Sequence, residues 1–149
     1  MQKLLPITLA TALSGISFPS YTQPEPERSE IQQLQELPPH DLTDILDTRH
    51  GFILFSIDGC PACRRAHPRF QALEQEAEAA CISSDALDFD YVNLSHERPE
   101  PSDFIREEMQ YVPTIIEVQN GRDVHHYVGA GEEFGLFEAR VRHFIQQYR

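Results

Sequence analysis

Two cysteines are separated by two residues in the stretch Cys60-Pro61-Ala62-Cys63. A short apolar run that begins at Phe52 and suits a buried strand precedes them, and apolar residues at helical spacing follow them. A cysteine at the start of a helix is surrounded by free backbone N–H groups, which favour the thiolate over the thiol. The spacing therefore predicts that Cys60 is a nucleophilic thiolate. Cys63, one turn inside the helix, is predicted to resolve the mixed disulfide that Cys60 forms.

Charged side chains flank this pair. Asp58 precedes Cys60 and opposes thiolate formation by like charge. Arg64, Arg65 and His67 follow the pair and favour the thiolate if they point towards it. The sequence leaves the balance between these charges open. On its own, His67 is expected to be a helix-surface residue instead of a metal ligand.

Composition and charge limit the classes of function. The chain has 149 residues, which suits one domain with a modest core, and 40% of them are hydrophobic. Its net charge of −12 argues against nucleic acid as a partner and against anionic membrane surfaces, since both are bound through Lys and Arg. A single Cys-x-x-Cys pair among three cysteines is a poor zinc ribbon and a better redox motif, so we expect no metal site.

The start of the chain has the pattern of a secretory signal peptide. Lys3 gives the positive start, and the apolar segment from Leu4 to Ile16 is too short to span a bilayer as a helix. Gly15-Ile16-Ser17 offers a small-x-small cleavage signal, with the cut expected after Ser17. The protein is then expected to be periplasmic or secreted. The expected parts are a signal peptide over 1–20, a Pro- and Glu-rich lead with a short helix over 21–40, and a folded domain over 41–149.

Hydrophobic periodicity predicts a series of helices and strands. The predicted helices cover 29–37, 41–49, 61 to about 80, 103 to about 110, and 132–148. The predicted strands are a run from Phe52, Phe89–Leu94, and Thr114–Val118 and Val124–Val128 on either side of Asn120-Gly121. Pro68 lies inside the helix after Cys63 and should kink it. This order predicts an α/β fold with a small mixed sheet of about four strands, two parallel plus an antiparallel hairpin, and helices on both faces.

The order of motifs resembles the thioredoxin family. The resemblance implies a thioredoxin fold and thiol–disulfide exchange with protein substrates through Cys60 and Cys63, and it covers Phe52 to Arg149. The features that carry it are Cys60-Pro61-Ala62-Cys63 after an apolar strand, Pro68 in the following helix, Val112-Pro113-Thr114 before a strand, and a gapless match through the hairpin from Pro113 to Ala130.

The resemblance also implies a substrate-binding loop. In the family, the loop corresponding to Val112-Pro113 contains a cis peptide bond and lies beside the nucleophile. By resemblance, Val112 offers its backbone to a bound peptide and Pro113 keeps metal ions from the thiols. Pro61 and Ala62 complete the substrate-binding surface. No dissociable cofactor is needed, and electrons are exchanged with a partner protein, for which a membrane redox protein is one candidate.

Departures from the family pattern point to a specialised relative. Leu54 stands where many thioredoxins have a buried acid that takes a proton from the second cysteine, and Gly59 stands where they have a tryptophan. The segment around Cys81 to Asp88 is longer than in thioredoxins. Pro61-Ala62 lacks the histidine that stabilises the thiolate in strongly oxidising relatives, which favours a reductase or a middling potential.

Other functions stay open at this point. The exchange could run as oxidation or isomerisation, the pair with His67 could bind a metal in a metallochaperone, or a redox-inert adaptor could use the fold for protein contacts. His125-His126 alternate on a strand and cannot face one metal together. Cys81 lies about 27 Å beyond Cys63 along an unbroken helix, too far to reach the pair. We expect Cys81 to be a small buried hydrophobic residue, with a thiol that links a partner as the alternative.

Overall fold

The computed structural model describes residues 37–101 and 111–149. The predicted signal peptide, most of the predicted lead and the predicted helix that starts at residue 103 lie outside the described residues. None of the helices within these two ranges is long and apolar enough to cross a bilayer. The elements, numbered in chain order, are β1 (Pro39–Asp41), α1 (Thr43–Leu46), β2 (His50–Ser56), α2 (Pro61–Ala79), β3 (Leu87–Asn93), β4 (Arg98–Glu100), β5 (Thr114–Gln119), β6 (Arg122–Val128) and α3 (Glu132–Gln147).

Four strands form the central sheet in the order β3-β2-β5-β6. β2 pairs in parallel with β3 and antiparallel with β5, and β5 pairs antiparallel with β6. The predicted mixed sheet of two parallel strands and a hairpin is therefore confirmed. Asn120 and Gly121 form the hairpin turn with φ angles of 49° and 77°, the left-handed conformation that favours asparagine and glycine in a two-residue loop.

Side chains of β2 alternate between two cores, one on each face of the sheet. Phe52 and Leu54 enter the larger core together with α2 and α3. Ile53 and Phe55 enter the smaller core, which also contains Ile45 of α1. Because both faces are covered, every residue of β2 after the first is buried. This buried strand fixes the point at which the chain leaves the sheet and turns towards the cysteine pair.

The amino-terminal part of the described chain differs from the prediction. β1 and β4 form a separate two-stranded parallel sheet, and the helix expected over 41–49 is reduced to α1. The Asp41 carboxylate accepts hydrogen bonds from the backbone N–H and the hydroxyl of Thr43, the first residue of α1. The Leu42 N–H donates to the Glu100 carbonyl at 2.9 Å. Asp41 and Leu42, which the periodicity assigned to a helix, therefore form backbone contacts with β4 instead.

Candidate active site

Cys60 is the N-cap residue of α2. Its backbone is extended, with φ −87° and ψ 110°, and Pro61 follows in the first turn, where its missing N–H is not needed. The Cys63 N–H donates to the Cys60 sulfur at 3.2 Å. The sulfur therefore occupies the position of an N-cap acceptor, where the free N–H groups of the helix favour negative charge.

Cys60 and Cys63 are joined by a disulfide, with their Cα atoms 5.2 Å apart. Cys63 is only 5% exposed, whereas Cys60 is partly exposed. A partner molecule therefore has more access to Cys60 than to Cys63. This asymmetry is what thiol–disulfide exchange needs from an attacking sulfur and a resolving sulfur.

The Val112-Pro113 loop lies against the Cys60 sulfur. Its peptide bond is cis, and the Val112 carbonyl oxygen is 3.9 Å from Cys60 Sγ. Two hydrogen bonds hold the loop in place. The Thr114 hydroxyl donates to the Tyr111 carbonyl at 2.6 Å, and the Gly129 N–H donates to the Pro113 carbonyl at 2.8 Å. The structure thus brings together the cysteine pair and the loop that the sequence associated with it.

The predicted substrate-binding residues differ in exposure. Pro61 is exposed, Ala62 and Val112 are partly buried, and Pro113 is buried. Tyr111, which directly precedes Val112, is 67% exposed. Sequence reasoning did not single out Tyr111, because nothing in the sequence tells an exposed aromatic residue in a loop from a buried one. Its ring adds apolar surface next to the loop that contacts Cys60.

An open cleft of about 500 Å³ lies on the Cys63 side of the pair. Cys63 and His67 of α2, Ser56 of β2 and Tyr91 of β3 are among the residues that line it. The ring centroids of His67 and Tyr91 are 4.4 Å apart, and the Tyr91 hydroxyl lies 2.7 Å from the Ser56 hydroxyl. Sequence reasoning missed Ser56 and Tyr91. The available signal was the hydroxyl of Ser56, which interrupts an otherwise apolar strand.

The turn between β2 and α2 carries a negative charge next to the pair. The Asp58 carboxylate accepts a hydrogen bond from the Asn93 side-chain amide at 2.9 Å and contacts His96 at 2.6 Å. The hydrogen bond from Asn93, aided by the charge of His96, holds the pKa of Asp58 below its ordinary value. Gly59 has a φ of 72°, which a tryptophan would adopt only with strain. The departure from the family pattern at Gly59 therefore follows from the shape of the turn.

Within residues 37–101 and 111–149, no group of three or more His, Cys, Asp or Glu side chains is placed to hold a metal ion. The ring of His67 packs against that of Tyr91 at a tilt of 48°. The two histidines of β6 also differ in surroundings: His125 is exposed and has its ring 4.4 Å from that of Tyr127, whereas His126 is partly buried and contacts Asp123. The described side chains therefore give no ligand set for a resident metal.

No protein-family model matches the chain, and no curated protein matches it. Solved structures do match. The thioredoxin of Malassezia sympodialis (Mala s 13) superposes with a TM-score of 0.54 at 19% sequence identity, over 70% of this chain and 83% of that one. The zinc-bound form of human ERp44 superposes with a TM-score of 0.55 at 19% identity, over 76% of this chain and 32% of ERp44. The chain has a thioredoxin fold.

The thioredoxin fold accounts for the layout of the site. The parallel pair β2–β3 requires a crossover, and α2 provides it, so the start of α2 lies at the carboxyl end of β2. β5 is antiparallel to β2, so the amino end of β5, with Val112-Pro113 just before it, lies at that same edge. The fold and the bonded pair of Cys60 and Cys63 together support thiol–disulfide redox chemistry at this edge.

Cys81 contradicts the prediction that it is buried: its side chain is exposed. α2 ends at Ala79, and Cys81 follows in the left-handed conformation with a φ of 57°. The Cys81 N–H donates to the Glu78 carbonyl, and the Ile82 N–H donates to the Ala77 carbonyl. These two bonds form a Schellman-type helix end, which turns the chain away from the helix axis. The apolar stripe of α2 therefore stops at Ala77, and Cys81 lies beyond it.

Proposed function

We propose that the chain is a thioredoxin-family thiol–disulfide oxidoreductase that exchanges electrons with protein disulfides through Cys60 and Cys63. One observation carries the proposal. The partly exposed Cys60 sulfur lies between a helix N-terminus and the Val112 carbonyl, and it is bonded to a second sulfur that is buried. Such an arrangement supplies an attacking sulfur, a resolving sulfur and an adjacent backbone edge for a substrate chain.

The reaction in the reductive direction has two steps. The Cys60 thiolate attacks one sulfur of a substrate disulfide, and the other substrate sulfur leaves as a thiolate that takes up a proton. The Cys63 thiolate then attacks Cys60 Sγ, which breaks the mixed disulfide and releases the second substrate sulfur. Two electrons pass to the substrate, and the Cys60–Cys63 disulfide is left. A partner protein of lower potential reduces it again.

The substrate chain is proposed to bind along the Val112-Pro113 loop. The Cys60 sulfur lies 3.9 Å from the Val112 carbonyl oxygen. An extended peptide that pairs with the backbone of Val112 would therefore place its own sulfur beside Cys60. Pro61 and Ala62 directly follow the nucleophile at the start of α2, and the exposed ring of Tyr111 offers an apolar contact. Main-chain pairing gives affinity for many sequences, so the proposed substrates are unrelated proteins that share an accessible disulfide.

A reductase is favoured over an oxidant because few groups stabilise the Cys60 thiolate. In the described structure, its sulfur has one hydrogen-bond donor, the Cys63 N–H, and one neighbouring acceptor, the Val112 carbonyl. Asp58 adds a negative charge two residues away, where it opposes the thiolate. Strongly oxidising pairs have a strongly stabilised thiolate, so the single hydrogen-bond donor to Cys60 among the described residues supports the reductive direction.

The reduction potential of the Cys60–Cys63 couple, measured by equilibration with glutathione in the C81S background, tests the direction. A potential close to that of thioredoxin, about −270 mV, supports a reductase. A potential close to that of a strong oxidant, about −120 mV, overturns that direction. Insulin reduction tests the function itself, with C60S as the control. If the wild type reduces insulin no faster than C60S, the redox function is wrong and a redox-inert adaptor becomes the better account.

Export is a separate proposal that the amino-terminal pattern supports. We expect residues 1–20 to direct the protein to the periplasm or out of the cell, where a membrane redox protein would exchange electrons with it. Fusion of residues 1–40 to a reporter that is active only after export tests this. Replacing the apolar segment Leu4–Ile16 by polar residues should abolish reporter activity. Full activity of that variant would contradict the proposal.

A further inference from the structure

Cys63 must lose a proton before it can attack the mixed disulfide, and its surroundings make that difficult. The residue is 5% exposed and lines the open cleft, so its proton is expected to leave through that cleft. Leu54 of β2, which lies on the sheet face that packs against α2, is fully buried and has no group that accepts a proton. A side chain that takes up this proton would therefore lie among the residues that line the cleft.

The cleft on that side contains one candidate. Cys63 and His67 are four residues apart on α2, which places their side chains on the same face of the helix, and both line the cleft. His67 is partly buried and its ring packs at 4.4 Å on the ring of Tyr91. The Tyr91 hydroxyl is in turn 2.7 Å from the hydroxyl of Ser56. The imidazole is thus held at the cleft wall instead of extending into solvent.

The other charged groups around the cleft are poor acceptors. Arg64, on the same helix, is a permanent cation and cannot accept a proton. Asp58, from the turn after β2, is occupied by Asn93 and His96, and those contacts favour its ionised form. Glu74 lies two turns beyond His67 along α2 and does not line the cleft. Histidine, by contrast, ordinarily titrates between pH 5 and 8 and suits proton transfer near neutrality.

We infer that His67 accepts the proton of the Cys63 thiol when Cys63 resolves the mixed disulfide, a role that rests on the proposed redox function. The Cys63 S–H proton passes to the imidazole, directly or through one water. The resulting thiolate forms a bond to Cys60 Sγ, and the bond between Cys60 and the substrate sulfur breaks. The departing substrate thiolate is protonated by the imidazolium, which returns His67 to its neutral form. In the oxidative direction the imidazolium protonates Cys63 as it leaves.

A chromogenic aryl disulfide separates the two chemical steps without any protein partner. Attack by Cys60 releases one coloured thiolate, and resolution by Cys63 releases a second, so stopped-flow absorbance gives two phases. C81S is the background, since the exposed Cys81 would react as well. H67A should slow the second phase about tenfold or more at neutral pH and move its pH profile to more alkaline values, and the first phase should change far less. Added imidazole should restore the second phase.

Two controls separate this role from a structural one. H67Q keeps a polar side chain of similar shape but does not titrate near neutrality, so it should be as slow as H67A. H143A removes an exposed histidine of α3 and should leave both phases unchanged. An H67A second phase with the wild-type rate and pH profile, or one that imidazole does not rescue, overturns the inference. If the C81S parent shows no second phase at all, the proposed redox function fails instead.

Discussion

The Cys60 sulfur lies 3.9 Å from the carbonyl oxygen of Val112 and 3.2 Å from the backbone nitrogen of Cys63. The nitrogen donates a hydrogen, which favours a thiolate, whereas the oxygen presents negative charge, which favours a thiol. In the bonded pair the sulfur has no hydrogen to donate, so the carbonyl gains a partner only after reduction. The two contacts therefore act on a Cys60 thiolate in opposite directions.

The position of Cys60 predicts which cysteine forms the bond to substrate. In a C63S/C81S variant the resolving step is impossible, and a covalent complex with a disulfide-containing substrate such as insulin should accumulate at Cys60. The matched C60S/C81S variant should trap about tenfold less or none, because its remaining thiol is buried. Non-reducing electrophoresis followed by mass analysis of the linked peptide provides the measurement. Equal trapping by both variants would contradict the assignment of nucleophile and resolving thiol.

Asp58 should oppose the Cys60 thiolate by its charge. D58N keeps the shape of the side chain and removes the charge, so the pKa of Cys60 should fall, by less than about one unit because the site is exposed to solvent. Thiolate absorbance against pH in the C63S/C81S background measures this pKa. E132Q, a neutralisation at the exposed start of α3, serves as the control for a general change in net charge. A pKa of Cys60 that is unchanged or raised in D58N would contradict the prediction.

The sequence was informative where local pattern and tertiary structure agree. β2 reads as a continuous apolar run because both of its faces are buried, and the hairpin is marked by Asn120-Gly121. The site at Cys60 follows from a strand, a turn and a helix in immediate succession, so its main features needed no knowledge of long-range contacts.

What the sequence did not reveal depends on contacts between distant segments. β1 and β4 have three residues each, too few to show a period, and they exist because Pro39–Asp41 meets Arg98–Glu100. Tyr91 reaches the Cys63 side only through the parallel register that pairs it with Leu54. Cys81 continues the apolar spacing of α2, but hydrogen bonds at the helix end override that periodicity.

His40 should make stability depend on pH. Burial lowers its pKa, but hydrogen bonds and charge from Asp90 (2.9 Å) and Glu97 (3.0 Å) outweigh burial, and the pKa of His40 is raised above 6.5. A histidine whose pKa is higher in the folded state stabilises the fold fully below the unfolded pKa and loses that contribution as pH rises through the folded pKa. H40Q should therefore destabilise most near about pH 6 and much less near about pH 9.

Urea unfolding of H40Q and the wild type across that pH range measures this effect. H143Q, at an exposed position on α3, should show no comparable pH dependence. The contribution of His50 to stability depends on pH in the opposite direction. Burial, together with the charges of Arg140 and Arg49, lowers the pKa of His50, so its contribution is lost as pH falls. The difference between wild type and H40Q cancels the contribution of His50. A loss in H40Q that is constant or grows with pH would show that the contacts of His40 do not depend on its charge.

Glu117 is a buried carboxylate, and removing its hydrogen-bond partners should lower the free energy of unfolding. Its side chain is 2% exposed, and its oxygens accept hydrogen bonds from the Tyr127 hydroxyl at 2.8 Å, the Gln119 amide at 2.9 Å and the Arg140 guanidinium at 3.3 Å. Burial, followed by the hydrogen bond to Glu117, raises the pKa of Tyr127, so its hydroxyl stays a donor throughout the physiological range. Y127F should cost about 1–2 kcal/mol, because one acceptor of a buried carboxylate then lacks a donor.

Arg140 supplies the only positive charge that contacts Glu117 among the described residues. R140A should cost about 2–3 kcal/mol, less than for a fully buried pair, because the arginine side chain is 41% exposed and water can partly replace it. The E117Q/R140A double variant should lose less than the sum of the two single variants, since an amide does not need the cation. Urea unfolding gives the free energies, and the potential of the Cys60–Cys63 couple should stay unchanged throughout. Strict additivity of the two losses would mean that charge pairing is not what Arg140 contributes.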